Sequence, residues 1–125
     1  MRSLTKKQLL TLHTKVINAS GGSDGVRDEG LIDSALDRHK ATFGGEDLYT
    51  SVEEKIAVTT HSLIANHGFI DGNKRIGVIA LDVLSTLNNI KLEYEQKDMI
   101  ELGLKVAQGA MNEEDILDWI KRHEK

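Results

Sequence analysis

The sequence predicts an all-α protein, a compact single-domain bundle of about six helices spanning residues 1–125 with one loop able to close as a short hairpin. Three observations predict it. Apolar residues recur at spacings of three and four through most of the chain, the period of a helix with one face in a core. Proline is absent from all 125 residues, whereas about 5% is usual. Glycine, asparagine and capping residues mark the helix ends instead.

Thr5-Lys6-Lys7-Gln8 reads as a capping box, with Leu4 and Leu9 placed as a hydrophobic staple across it. Leu9, Leu12, Val16 and Ile17 carry the first helix to about Ala19. Gly21, Gly22, Gly25 and Gly30 then mark a long turn, and Asp28 is placed to cap a helix carrying Leu31, Ile32, Ala35 and Leu36. Phe43 to Thr50 has no helical period and reads as a loop or short hairpin. Ser51-Val52-Glu53-Glu54 reads as a second capping box, opening a helix whose face holds Ile56, Thr60, Leu63, Ile64 and His67 before a break at Gly68. The next helix starts near Asn73 and runs to Asn88-Asn89. Its apolar residues (Ile76, Ile79, Ala80, Val83, Leu84, Leu87) lie on more than one side, which predicts the buried central helix. An extended piece at Ile90 to Tyr94 precedes a helix with Met99, Ile100, Leu102 and Val106, stopped by Gly109. Asn112 caps the last helix, with Glu113, Glu114 and Asp115 at its positive end and Lys121, Arg122 and His123 at its negative end.

The totals narrow the function. With no cysteine, a disulfide framework and a thiolate metal site are both excluded. The balance of 20 acids against 16 bases disfavours general nucleic-acid binding, which draws its affinity from neutralised phosphates. Lys6, Lys7, His13 and Lys15 interrupt the apolar positions of the first twenty residues, so no secretory leader is expected. No run approaches the roughly 20 apolar residues of a membrane span. A cytoplasmic protein without direct nucleic-acid or membrane contact is the expectation.

One segment departs from this plain helical text: His67-Gly68-Phe69-Ile70-Asp71-Gly72-Asn73-Lys74-Arg75. It joins two apolar helices, and the second opens at Gly72 with unpaired N–H groups and a positive dipole end, a setting for phosphate. Taken singly, His67 reads as a structural histidine, Asp71 as a turn residue and Asn73 as a helix cap. Lys74 and Arg75 do not fit that reading. Cations in a helix's first turn cost roughly 0.3–1 kcal/mol each, and bound anions reverse the sign. A base, a hard-cation ligand, a glycine turn, an amide and two cations within nine residues point to phosphate chemistry.

The segment resembles the signature of the Fic/Doc superfamily, His-x-Phe-x-(Asp/Asn/Glu)-(Gly/Ala)-Asn-(Gly or Lys)-Arg. Leu12-His13, Gly21-Gly22, Gly25-Val26-Arg27-Asp28, Gly30-Leu31 and Glu53-Glu54-Lys55-Ile56-Ala57 extend the likeness to the Doc ("death on curing") branch. The resemblance implies a Fic/Doc-like fold and these roles. His67 is the general base toward a target hydroxyl, as an imidazole titrating near pH ~6.5 can be. Asp71 holds Mg²⁺, a hard cation that prefers carboxylate oxygen. Gly72 lets the backbone approach, while Asn73, Lys74 and Arg75 bind the phosphates of ATP and stabilise charge during transfer. Phe69 anchors the loop, and the stretch from Phe43 to Tyr49 lies where the family has a flap that aligns its target.

Two departures distinguish branches. AMP-transferring Fic proteins have glycine where Lys74 stands and a second arginine where Val78 stands. Both differences resemble Doc, which implies a toxin of a toxin–antitoxin pair. It would be a Mg-dependent Ser/Thr phosphotransferase that moves the γ-phosphate of ATP to elongation factor Tu, blocks translation and is held by a Phd-like antitoxin. A self-inhibitory (Ser/Thr)-x-x-x-Glu-(Gly/Asn) match is absent, since Lys55 follows Thr50 to Glu54, so inhibition is expected from another chain. The alternatives are a Fic-like adenylyl (AMP) transferase and an inactive binding module.

Overall fold

The computed structural model describes residues 1–125 and consists of six α-helices, one 3-10 turn and a minimal hairpin. Helix α1 (Lys6–Ser20) starts with both arms of the expected capping box: Gln8 N–H donates to Thr5 Oγ1 and Thr5 N–H to Gln8 Oε1. Helix α2 (Glu29–Asp37) is capped by Asp28. After the 3-10 turn (Arg38–Lys40), strands β1 (Thr42–Phe43) and β2 (Glu46–Asp47) pair antiparallel around Gly44-Gly45, so the flap loop does close as a hairpin. Helices α3 (Val52–Ala65), α4 (Asn73–Leu87), α5 (Gln96–Ala107) and α6 (Glu113–His123) complete the chain. The Ile90 to Tyr94 piece is extended and ties down the carboxyl terminus: Glu93 N–H donates to His123 O and Lys125 N–H to Lys91 O. Helix α6 has the acidic start and basic end that oppose its dipole.

Two apolar clusters share a wall made by α3 and α4. One joins Ile56, Ala57 and Ile64 of α3 and Leu81 and Leu84 of α4 to α5 and α6. The other joins Leu63 of α3 and Ile76 and Ala80 of α4 to α1, α2 and Phe69. The wall is tight where Gly77 of α4 faces Ile64 and the Thr60 carbonyl of α3; any Cβ there would collide with the Ile64 side chain.

Three expectations need correction. The most buried helix is α3, with eight buried residues, rather than α4, with six. Its buried Thr59, Thr60 and Ser62 look like a polar face by composition, yet small hydroxyls can bond inside their own helix, as Thr59 does to the Lys55 carbonyl. The box at Ser51 has one arm only. Ser51 Oγ accepts from Glu54 N–H, but the Glu54 carboxylate turns to the Ser51 hydroxyl instead of its amide. Finally, α3 ends at Ala65 with Asn66 as its cap, so His67 is off the helix and in a left-handed conformation with φ 51°.

His39, on the 3-10 turn, is buried with Nδ1 unpartnered. Burial, with Lys40 and Lys55 nearby, lowers its pKa from the ordinary 6.5. The unfolded chain therefore binds the proton more readily, and this neutral histidine contributes stability that is intact above that value and lost as pH falls through the lowered one. The melting temperature should drop as pH falls below the ordinary histidine value of 6.5, and His39→Gln should flatten that dependence. An unchanged slope in the variant would show that other groups carry it. No helix is long and apolar enough to cross a membrane.

Candidate active site

The loop between α3 and α4 is held by the segment just before α2. Arg27 and Asp28 N–H both donate to Gly68 O, Ile70 N–H donates to Gly25 O, and Val26 bridges Phe69. The Arg27 guanidinium spans the end of α3, with Nε on the His67 carbonyl at 2.7 Å and Nη2 on the Asn66 carbonyl at 3.2 Å. Phe69 is 1% exposed, anchoring the loop as its place in the signature implied. With its carbonyl secured and its backbone left-handed, His67 is exposed, and its imidazole makes no hydrogen bond or ion pair. Histidine is among the few residues that visit this region, and strained backbone of this kind concentrates at functional sites.

Asn73 closes the loop on itself. Its Oδ1 accepts from Phe69 N–H at 3.0 Å and its Nδ2 donates to Phe69 O at 3.1 Å. The side chain expected on phosphate is thus engaged by the backbone of the loop, and what Asn73 presents outward is its own N–H. The amides of Asn73, Lys74 and Arg75 have no hydrogen-bond partner, and Gly72, the left-handed residue before α4, supplies no side-chain cap. Three free N–H groups at the positive end of a fifteen-residue helix suit an anion.

The two cations separate. Arg75 reaches back to the end of α1, where Nη1 donates to Ser20 Oγ at 2.5 Å and to Gly21 O at 2.7 Å. It therefore sits at a helix C-terminus as well as a helix N-terminus, which removes much of the conflict its position suggested. Lys74 is exposed and pairs with nothing. The unexplained cation is Lys74.

Asp71 lies between these groups. Its Oδ1 accepts from Gly72 N–H at 2.7 Å and its Oδ2 from Ser23 N–H at 3.2 Å, with Arg75 Nη2 3.6 Å away. The Ser23 amide, then the Gly72 amide, Arg75 and His13, hold this carboxyl below the usual carboxylate range. A carboxyl shifted in that direction is ionised at neutral pH. No group of three His, Asp or Glu side chains is placed to hold a metal. One ionised carboxylate beside free amides does fit Mg²⁺, which keeps most of its water and takes its other ligands from substrate phosphates.

Three contributors escape sequence reasoning as site residues: His13, Ser23 and Arg27. His13 had a signal. Leu9, His13 and Ile17 form the buried stripe of α1 at spacings of four, and a histidine in such a stripe needs polar partners. Ser23 acts through its amide and leaves no pattern. Arg27, although part of the likeness at Gly25 to Asp28, acts through backbone carbonyls distant in sequence that its own position does not announce.

The Fic/DOC family profile matches residues 3–85, well over half of the chain. The chain belongs to the Fic/DOC family. Among curated proteins it is similar to Toxin Doc of Mycolicibacterium smegmatis, 40% identical over 74 residues. That match covers 59% of this chain and 57% of the relative, so it spans little more than half of that protein. It is also similar to Protein kinase doc of Escherichia phage P1, 24% identical over 122 residues, covering 98% of this chain and 95% of the relative. Both names belong to the Doc branch, and the fold is the helical one expected of it. The Fic/DOC match takes in α1 to α3 and all but the end of α4, so every residue that shapes the loop lies inside it, while α5 and α6 lie beyond. At Val78, where AMP-transferring relatives have arginine, the side chain packs toward Gly103 of α5, where a Cβ would lie 3.2 Å from Val78 Cγ1.

Proposed function

We propose that this chain is a Doc-like toxin that transfers the γ-phosphate of ATP to a hydroxyl of a protein target. The observation that carries the reading is Lys74: exposed, unpaired, and in the first turn of a helix with three free amides. Together they make a cationic seat for a phosphoryl group beside a histidine with an uncommitted imidazole. His67 takes the proton of the target hydroxyl, the hydroxyl oxygen bonds to the γ-phosphorus, and the bond from that phosphorus to the bridging oxygen of ADP breaks. Positioning and charge neutralisation supply nearly all the acceleration in such a transfer. Lys74 and the α4 amides bear the charge on the equatorial oxygens, and Asp71 would hold Mg²⁺, which would add further neutralisation. The packed Val78 supports phosphate transfer over AMP transfer, because the second arginine clamp has no counterpart here.

The flap hairpin exposes Phe43 (83%) and Leu48 (52%) and is the part of the surface we assign to the target backbone. The name Toxin Doc of one relative supports the toxin reading, and we take the inhibitor to be a Phd-like antitoxin with an amphipathic segment. Elongation factor Tu, in the cytoplasm, is the proposed target.

Incubating the chain and elongation factor Tu with ATP labelled at either the γ or the α phosphate tests this. Label should reach the target from the γ position alone. Transfer from α alone would make the protein an adenylyl transferase, and transfer from neither position would leave a binding module.

A further inference from the structure

His13 lies at the centre of the first helix, 1% exposed, and both of its ring nitrogens meet oxygen. Nε2 is 2.7 Å from the carbonyl of Asp71, which can only accept, so Nε2 carries the proton and donates it there. Nδ1 faces the Asp24 carboxylate at 3.3 Å. Asp24 is fixed in turn by the Thr14 hydroxyl at 3.0 Å and by Gly25 N–H at 2.9 Å. The imidazole also stacks on Phe69, with centroids 3.8 Å apart and planes 11° from parallel. Every degree of freedom of this ring is therefore specified, and the group it specifies is the backbone of the residue read above as the metal ligand.

Asp24 follows directly on Ser23, whose amide holds the other end of Asp71 at Oδ2. The turn at residues 22–25 thus grips Asp71 twice, through its carboxylate and, by way of His13, through its carbonyl. Gly22 lies beneath, close enough that a Cβ would meet both the Asp71 carboxylate and Arg75. A structural histidine needs partners for its nitrogens. It does not need them to converge on one residue of the catalytic loop.

We propose that His13 and Asp24 are positioning residues that set the orientation of the Asp71 carboxylate toward a divalent cation. This rests on the reading of Asp71 as metal ligand given above. Neither side chain touches substrate; both act through Asp71. Groups that orient a metal ligand in this way change metal affinity by about tenfold to a hundredfold when removed.

The test reads metal binding directly. Mn²⁺ is titrated into the chain with ADP present, and its paramagnetic broadening of the Gly72 and Asn73 amide signals gives the midpoint at Asp71. In His13→Phe, which retains the stack on Phe69 but has no donor, the midpoint should rise about tenfold or more. His13→Gln, whose amide can reach the same carbonyl, should recover most of that loss. A merely structural histidine would give the two variants equal midpoints. Asp24→Ala alters a side chain 47% exposed, so it leaves the core intact, and its midpoint should rise severalfold while KM for the protein target stays constant. If His13→Phe fails to fold, Asp24→Ala decides. Midpoints unchanged from the parent in the folded variants would overturn the positioning role alone. If the parent itself shows no broadening, Asp71 is not a metal ligand and the metal assignment falls with the proposal.

Discussion

His67→Ala should lower phosphoryl transfer by about a hundredfold to ten-thousandfold, the range for loss of a general base. It should leave the melting temperature within a degree or two. The structural half of that expectation comes from exposure: the imidazole packs in no cluster and pairs with no group, so its removal opens no cavity and strands no partner. Only the left-handed backbone registers the change, because alanine is less at ease there than histidine, and the Arg27 bonds to the Asn66 and His67 carbonyls oppose any relaxation. Rate measurement with γ-labelled ATP, alongside a thermal melt, checks both halves. A folded variant with the parent's rate would remove the histidine from the mechanism.

Asn73→Ala should fail in a different way, losing stability and activity together. The side chain satisfies both the N–H and the carbonyl of Phe69, a residue with 1% exposure, and alanine leaves both without a partner. Each stranded buried group costs about 1–3 kcal/mol, so a loss of about 2–4 kcal/mol is expected once part of the loop is allowed to rehydrate. Denaturant unfolding measures it. A stability close to the parent's would mean that the loop does not depend on this amide, leaving Asn73 free for nucleotide.

The helices were legible because their signals are local. Capping boxes, a period of 3.6 and glycine stops are written within a few residues of the event they control, and α1, α2, α5 and α6 follow them closely. The errors arise where the third dimension decides. The rank of α3 above α4 depends on Thr59, Thr60 and Ser62 being covered by other helices, and no pattern of their own side chains announces that. The left-handed turn at His67 is imposed by Arg27, forty positions away. The site was half legible. Phe69, Asp71, Asn73 and Arg75 do meet at the start of α4, but the division of labour could not be read: Asn73 serves the loop, Arg75 serves α1, and the side chains of His67 and Lys74 are uncommitted. The turn at residues 22–25 showed only as glycines, although its amide and carboxylate frame Asp71.

The bonds that tie this loop to α1 and to the segment before α2 join residues 39 to 58 positions apart in the chain. Such contacts need the folded chain, since closing long segments costs entropy before any contact rewards it. A nascent chain emerging from the ribosome carries Gly25–Asp28 well ahead of the loop it must grip, and the local bonds between Asn73 and Phe69 leave the rest of the loop dependent on that grip. The chemistry is thereby gated by completion of the tertiary structure. A chain whose first helix has frayed, or one that lacks the turn at residues 22–25, holds the signature residues without the contacts that order them.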